Sequence, residues 1–186
     1  MLLTLSGGAG AGKTTLAEAL AEDSAARERP ATVLHGDDYY VTEPAHGGIW
    51  TPDESGTLRL DVGDPRSVDS RRLDSDTASA LAASPLVIVE GLFAFRVRPP
   101  AGHHRFDVFV DLPADLRLAR KIRRKCLDDG FPLDVLLANY LNHRRAAHTR
   151  HVEPARHLCD LVVDGAQPSA RTARRIQAHP RWTRGD

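Results

Sequence analysis

Cysteine, aromatic side chains and long apolar runs are all scarce in this sequence. Its two cysteines, Cys126 and Cys159, lack the spacing of any motif, which predicts reduced thiols in a cytoplasmic protein. Aromatic residues make up only 5% of the chain, so we expect a core built mostly from alanine, leucine and valine. The apolar runs are far too short to span a bilayer. Met1 leads directly into a predicted strand, so we expect no signal peptide.

An excess of charge of either sign is also absent. The 25 lysines and arginines are balanced by 25 aspartates and glutamates, so the overall charge does not attract the chain to nucleic acid or to a membrane. A length of 186 residues lies at the upper end of what one hydrophobic core usually supports. We therefore predict one domain over residues 1–186, with neither nucleic acid nor membrane as a partner. The sequence leaves a homo-oligomer open.

A glycine-rich segment near the start carries the strongest signal. Residues 7–14 read Gly-Gly-Ala-Gly-Ala-Gly-Lys-Thr and fit the P-loop (Walker A) pattern G-x-x-x-x-G-K-[ST], between a leucine-rich strand and a helix. Backbone N–H groups of such a loop cradle a polyphosphate, with Lys13 near the β- and γ-oxygens and the Thr14 hydroxyl on Mg²⁺. The candidate nucleotide-binding residues are Gly7, Gly8, Ala9, Gly10, Ala11, Gly12, Lys13, Thr14 and Thr15.

Short β-rich segments alternate with helical ones along the whole chain. Strands are expected at 2–5, 31–35, 86–89, 108–110 and 161–163, and helices after the P-loop and at 67–83, 115–127, 134–148 and 169–179. This alternation predicts an α/β fold, the three-layer sandwich of P-loop NTPases, with a mostly parallel five-stranded sheet and a basic helical lid. Residues 41–64 are polar and aperiodic, which predicts a long loop. Ser169 is expected to cap the last helix, and the tail from Pro180 is expected to be loose.

Acidic residues follow two of these strands directly. Ligands of parallel sheets bind beyond the carboxyl ends of the strands, so we expect Asp37, Asp38 and Glu90 to converge with the P-loop. One aspartate of the pair can serve as the base that phosphoryl transfer to an alcohol requires, although strand-end aspartates also cap turns. Glu90 occupies the position of a Walker B carboxylate, which binds Mg²⁺ directly or through water.

A run of basic residues follows the fourth strand. Arg117, Arg120, Lys121 and Arg124 are spaced to share one helix face, in a segment (about 115–132) that we term the lid. Cations over a phosphate site stabilise charge on the transferring group. The alternatives are a solvated basic face and a nucleic-acid patch. The patch is disfavoured because no aromatics interleave and the net charge is zero.

Taken in order, these motifs resemble the uridine kinase family of P-loop nucleoside kinases. The similar segments are residues 7–15, 36–40, 87–95 and 117–124, with 140–141 and 152–163 similar to that family's tail. The resemblance covers most of the chain. It implies transfer of the γ-phosphate of ATP, with Mg²⁺, to the 5′-hydroxyl of a ribonucleoside. The catalytic residues it implies are Asp37, Lys13, Arg120 and Arg124, and the metal-binding residues are Thr14 and Glu90.

The substrate-binding residues implied by the resemblance lie in residues 37–66, which we term the substrate loop. Tyr40 matches a substrate-contacting tyrosine, and Asp61 or Asp64 matches a ribose-binding aspartate. Uridine kinases read the pyrimidine with a hairpin, but residues 70–84, where it would lie, are predicted to be helical. The related nicotinamide riboside kinases lack that hairpin, and in that comparison Asp61 holds the ribose. Trp50 either stacks on the base or pins the loop to the core.

Other functions stay open at this point. Residues 53–56 spell D-x-x-G, a motif of nucleotide-dependent switches, but the guanine-binding motif N-K-x-D is absent. A non-catalytic nucleotide-binding module is a further alternative, although the intact Lys13, Thr14, Asp37 and Glu90 argue against it. Within the kinase class, the acceptor can instead be nicotinamide riboside, pantothenate or a sugar phosphate.

Overall fold

A parallel sheet forms the centre of the computed structural model, which describes residues 1–52 and 56–183. The strands are β1 (Leu2–Ser6), β2 (Ala31–His35), β3 (Trp50–Pro52), β4 (Leu58–Leu60), β5 (Leu86–Gly91), β6 (Arg105–Asp111) and β7 (Leu161–Asp164). Five of them pair in the order β2-β5-β1-β6-β7, every pair parallel. The predicted α/β fold with a five-stranded parallel sheet is therefore confirmed.

Helices follow most of the strands. They are α1 (Lys13–Ala26), α2 (Ser70–Ala83), α3 (Ala114–Ile122), α4 (Leu133–Asn139), α5 (Arg145–Ala147), α6 (Ser169–Gln177) and α7 (Pro180–Thr183). Wider π-type turns extend α3 through Asp128 and connect α4 and α5 into a helical segment that reaches Val152. That segment is longer than predicted. None of the described helices has the length and hydropathy needed to cross a membrane.

The sheet is buried on both faces, because alternate residues of its strands point to opposite sides. On one face, side chains such as Leu3, Leu5 and Ile88 pack with α1 and α6. On the other face, Leu2 and Val87 pack with α2. Each fully buried leucine or valine stabilises the fold by about 1.5–3 kcal/mol. The helices thus form outer layers on both sides of the sheet, as the three-layer prediction requires.

Two local predictions differ from the structure in the substrate loop and the last helix. The long loop contains an antiparallel hairpin of β3 and β4, whose three-residue strands are too short to show alternation in sequence. Helix α6 has Pro168 at its N-cap and no side-chain cap, so Ser169 is not the capping residue. Ser169 is instead the first helical residue, because Pro168 takes the extended conformation that ends the preceding turn.

The C-terminal tail also differs from its prediction. Residues Pro180–Thr183 form the short helix α7, and Trp182 is buried in the cluster that includes α1 and α6 side chains. Burial of one large indole surface is enough to order a short tail that local sequence signals place in solvent. Tertiary packing, rather than helix propensity, therefore determines this segment.

Candidate active site

The carboxyl ends of β1, β2 and β5 meet at one edge of the sheet. Ser6 lies opposite Gly91, and His35 lies opposite Glu90, so the segments that follow these strands must converge. A cleft with a volume of about 730 Å³ opens there, within the size range of small-ligand sites. Its lining includes residues 9–16, Asp37, Tyr40, Val62, Glu90, Leu92, Arg120, Lys121, Arg124 and Lys125.

The P-loop backbone adopts conformations that glycine permits. Gly10 and Gly12 have φ angles of 82° and 96°, in the left-handed region that other residues rarely occupy. Ala11 N–H donates to the Gly8 carbonyl at 3.1 Å, and α1 begins directly after Gly12. A Cβ on Gly10 would also lie 2.8 Å from the Arg117 carbonyl oxygen. The loop therefore turns tightly directly before a helix N-terminus, the arrangement expected of a phosphate cradle.

Arg117 does not lie with the other lid cations. Its side chain lies against the P-loop, where a Cβ on Gly8 would come within 2.8 Å of the Arg117 Cζ, and its Nε donates to the Leu112 carbonyl at 2.9 Å. Arg120, Lys121 and Arg124 line the cleft. The predicted single basic face is therefore divided between one arginine that packs against the P-loop and three cations that face the cleft.

Lys13 is buried at the base of the cleft. Its side chain is only 8% exposed, and Nζ donates to the Gly8 carbonyl at 3.2 Å. Burial lowers the pKa of Lys13 because it removes water from the ammonium, and the carboxylates of Glu90 and Asp37 partly oppose this. Lys13 therefore places a buried amine at the base of the cleft, close to two carboxylates.

Thr14 and Glu90 meet as expected, and a third residue joins them. Thr14 Oγ1 donates to Glu90 Oε1 at 3.0 Å, and His35 Nδ1 lies 3.0 Å from the same oxygen. Glu90 is 5% exposed. Sequence reasoning missed His35, and only the pairing of β2 with β5 could have revealed it, because the two residues are opposite in register.

Of the two aspartates after β2, the structure places Asp37 in the cleft. Asp37 is exposed there, and no hydrogen bond or ion pair among the described residues engages its carboxylate. Asp38 is outside the lining, and its carbonyl accepts from Arg72. Asp37 follows β2 in a short 3₁₀ turn that begins at Gly36. A Cβ on Gly36 would approach the Glu90 carbonyl to 2.9 Å, so glycine allows the two strand ends to lie close together.

The predicted substrate residues are only partly brought together. Tyr40 lines the cleft and its hydroxyl donates to the Val62 carbonyl at 2.8 Å. Burial raises the pKa of Tyr40, and Asp37 and Asp61 act in the same direction. Asp61 is also outside the described lining, but it lies directly before Val62, a lining residue, and its Oδ1 accepts from Arg144 at 2.7 Å.

Asp64 and Trp50 lie outside the described cleft lining. The buried Asp64 carboxylate accepts from Arg66 Nη2 at 2.8 Å and from the Arg66 backbone N–H at 2.9 Å. Trp50 Nε1 donates to the Gly47 carbonyl at 2.7 Å within the substrate loop. The D-x-x-G segment falls mostly on residues 53–55, outside the described residues.

Comparison with known proteins decides the family. The sequence profile of the Phosphoribulokinase / Uridine kinase family matches residues 61–171, more than half of the chain. The chain belongs to the phosphoribulokinase/uridine kinase family. A curated uridine kinase of Chlamydia pneumoniae is 26% identical over 190 residues, which cover 89% of this chain and 82% of that protein. The resemblance that the sequence motifs indicated is therefore confirmed.

Solved structures support the same fold. A possible uridine kinase from Bacillus stearothermophilus is 19% identical with a TM-score of 0.55, covering 88% of each chain. A gluconokinase from Sinorhizobium meliloti 1021 is 18% identical with a TM-score of 0.56, covering 98% of this chain and 91% of that chain. At such low sequence identities, these structural similarities show a common fold. Membership of the phosphoribulokinase/uridine kinase family identifies this chain as a P-loop kinase that acts on a small molecule.

In this phosphoribulokinase/uridine kinase family member, Asp64→Asn is expected to lower the free energy of unfolding by about 1–2 kcal/mol at pH 7. Hydrogen bonds from Arg66 hold the pKa of Asp64 at about 2, below its ordinary 3.8. Because the Arg66 side chain is exposed to solvent, the pair contributes less to the free energy of unfolding than the full pKa shift would give. Because the folded pKa is depressed, this contribution is present above about pH 4 and is lost as pH falls towards 2. Urea unfolding of both proteins between pH 2 and pH 7 measures it.

Arg66→Gln is the partner variant to compare with Asp64→Asn. It removes the other half of the same pair, so the two variants should lose similar stability. We expect both to keep kinase activity, because neither side chain lines the cleft. Loss of activity in Asp64→Asn at unchanged stability would instead assign Asp64 to substrate binding.

Proposed function

We propose that this protein is an ATP-dependent kinase that transfers the γ-phosphate of ATP to the 5′-hydroxyl of a ribonucleoside, as a uridine kinase does. The observation that carries this proposal is one cleft that contains the P-loop, the carboxylate of Asp37, which has no partner among the described residues, and four lid cations. Phosphoryl transfer requires these groups together: a phosphate cradle, an acceptor for the hydroxyl proton and positive charge around the transferred group. The curated relative named uridine kinase supports the same activity.

The residues around Glu90 fit a magnesium ion. Thr14 and Glu90 supply two oxygen donors within hydrogen-bond distance of each other at the P-loop, and Mg²⁺ is usually held by one or two protein oxygens together with phosphates and water. No group of three or more His, Cys, Asp or Glu that could hold a metal occurs among residues 1–52 and 56–183, so the nucleotide would supply most ligands. A bound Mg²⁺ would neutralise charge on the β- and γ-phosphates.

The protein's own groups bind the phosphates, stabilise charge in the transition state and accept the proton of the acceptor. The P-loop amides and Lys13 bind the phosphates, and Arg120 and Arg124 approach from the lid to offset charge in the transition state. Arg120 Nη1 donates to the Gly10 carbonyl at 3.4 Å and to the Gly165 carbonyl at 3.1 Å, so its guanidinium is already held beside the P-loop. Asp37 accepts the proton of the acceptor hydroxyl and orients that oxygen for attack.

A second candidate acceptor is a polyhydroxylated small molecule without a base. Among the described residues that line the cleft, Tyr40 is the only aromatic, whereas nucleobase recognition usually relies on stacking against aromatic rings. Trp50 is held in the substrate loop and does not line the cleft. The related gluconokinase fold is consistent with such an acceptor. Pantothenate and sugar phosphates are further acceptors without a base, whereas nicotinamide riboside carries one and is tested as a separate alternative.

An acceptor panel tests the proposal. Release of ADP is measured with ATP and Mg²⁺ in the presence of uridine, cytidine, nicotinamide riboside, pantothenate, ribulose 5-phosphate or gluconate, and without any acceptor. The proposed function predicts ADP release that depends on a ribonucleoside. Stimulation by gluconate, ribulose 5-phosphate or pantothenate, without stimulation by any ribonucleoside, would favour the second candidate. ADP release that is the same with every acceptor and with none would refute both.

His35 is expected to affect the use of magnesium. His35→Leu should raise the Mg²⁺ concentration that gives half-maximal activity by about tenfold, because Glu90 loses a group that orients its carboxylate. His35→Asn should stay near the wild-type value, since an amide nitrogen can replace Nδ1. Binding of Mn²⁺ to the protein with ADP, followed by electron paramagnetic resonance, provides a readout independent of turnover. Equal behaviour of the two variants would contradict this role.

A further inference from the structure

The helical segment after the lid holds one end of the substrate loop. Arg144 Nη1 lies 2.7 Å from Asp61 Oδ1. One turn further along, Ala147 packs so closely that a Cβ on Gly63 would come within 2.7 Å of its Cβ. Arg144 and Ala147 are three residues apart, so they lie on one helix face. That face therefore determines where residues 61–63 lie.

The carboxylate of Asp61 is engaged through one oxygen. Oδ1 accepts from Arg144 and also from the Gly63 backbone N–H at 2.9 Å. In the part of the chain that the structure describes, no hydrogen bond reaches Oδ2. The Asp61 and Arg144 side chains are each 28% exposed, so the pair lies at the edge of solvent. One carboxylate oxygen is thus fixed, and the other can accept hydrogen bonds from a ligand.

Asp61 is not itself among the described lining residues of the cleft, but it lies directly beside residues that are. Val62, which follows Asp61, lines the cleft and accepts from the hydroxyl of Tyr40, another lining residue. Asp37 also lines this cleft. Arg144 places a positive charge beside Asp61, which offsets part of the negative charge that Asp37 and Asp61 bring to this region.

We propose that Arg144 is a positioning residue for the acceptor: it holds Asp61 by Oδ1 so that Oδ2 accepts hydrogen bonds from the acceptor hydroxyls. This inference rests on the proposed kinase function. Arg144 itself is outside the described cleft lining, so it is not placed to contact the nucleotide or the reacting atoms. Its effect is on acceptor binding, since the same interaction is present before and during phosphoryl transfer.

Steady-state kinetics of Arg144→Ala test the inference, with the best acceptor of the panel. The KM for the acceptor should rise by about tenfold or more, because hydrogen bonds to a charged group are lost. The kcat should stay within about threefold and the KM for ATP should not change, the pattern of lost uniform binding. Arg144→Lys should restore part of the loss, since it keeps one charged donor. Arg145→Ala, which changes an exposed arginine on the same helical segment, is the matched control and should resemble wild type.

A double-mutant cycle separates positioning from a general structural role. If Arg144 acts through Asp61, then Arg144→Ala should add little to the acceptor KM of Asp61→Asn. Equal effects of Arg144→Ala in both backgrounds, or a parallel loss of ATP binding, would overturn the inference. So would an unchanged acceptor KM in an active Arg144→Ala protein. Wild-type protein that releases no ADP in response to any acceptor would refute the proposed function, and the inference with it.

Discussion

Replacing Asp37 with asparagine is expected to lower kcat by about 10²–10⁴-fold, the range attributed to general base catalysis. The side chain lies in the cleft without a partner among the described residues, so its carboxylate is available to a substrate hydroxyl. Asparagine preserves the shape but cannot take up the proton. The affinity for ATP should change little, because the P-loop residues bind the phosphates. Turnover by ADP release and binding of a non-hydrolysable ATP analogue by calorimetry measure the two effects separately.

Asp38→Asn provides the matched control for Asp37→Asn. It makes the same chemical change one residue away, at a side chain outside the cleft lining. We expect near wild-type turnover from this variant. An equal loss of activity in both variants would show that the effect comes from the strand end as a whole. An equal loss of ATP binding in Asp37→Asn would contradict its assignment as the base.

Replacing Lys13 with methionine is expected to reduce kcat/KM for ATP by about 10³-fold, which corresponds to about 4 kcal/mol of transition-state stabilisation. The ammonium is buried beside the P-loop and near Glu90 and Asp37. Methionine fills a similar volume without charge. The charge that would offset the β- and γ-phosphates is then missing at a site from which water is excluded. Initial rates over a range of ATP concentrations measure this loss.

The stability of Lys13→Met distinguishes a functional lysine from a structural one. Burial lowers the pKa of Lys13, so the charged form is disfavoured in the folded protein relative to the unfolded chain. Removing this charge should leave the melting temperature of the protein without nucleotide unchanged or raise it. A melting temperature lowered by several degrees would indicate that Lys13 mainly supports the fold, and the loss of activity would then carry no information about phosphate binding.

Much of the site could be predicted because its signals are local. The P-loop needs glycines at positions with positive φ, followed by a helix, and these requirements appear as a contiguous pattern. Asp37 and Glu90 directly follow strands, and parallel strands end at one edge of their sheet, so the two carboxylates are expected to lie together. Their convergence in one cleft agrees with that expectation.

Other site features depend on contacts between segments that are distant in sequence. His35 reaches Glu90 because β2 pairs with β5 in one register. Arg117 turns from the basic face towards the P-loop because its Nε donates to the Leu112 carbonyl and its side chain fits in the space beside Gly8. Helical periodicity describes which residues share a face, but it does not say what each one contacts.

The amino-acid sequence by itself determined the order of the five sheet strands and the main helices, the P-loop and the acidic strand ends, because backbone conformation and hydrophobic alternation act over a few residues. Only the tertiary structure decided the partners of Asp61, the burial of Trp182 and the division of the lid cations. These depend on packing between elements tens of residues apart. Many local sequences are compatible with such contacts, so no local sequence pattern predicts them.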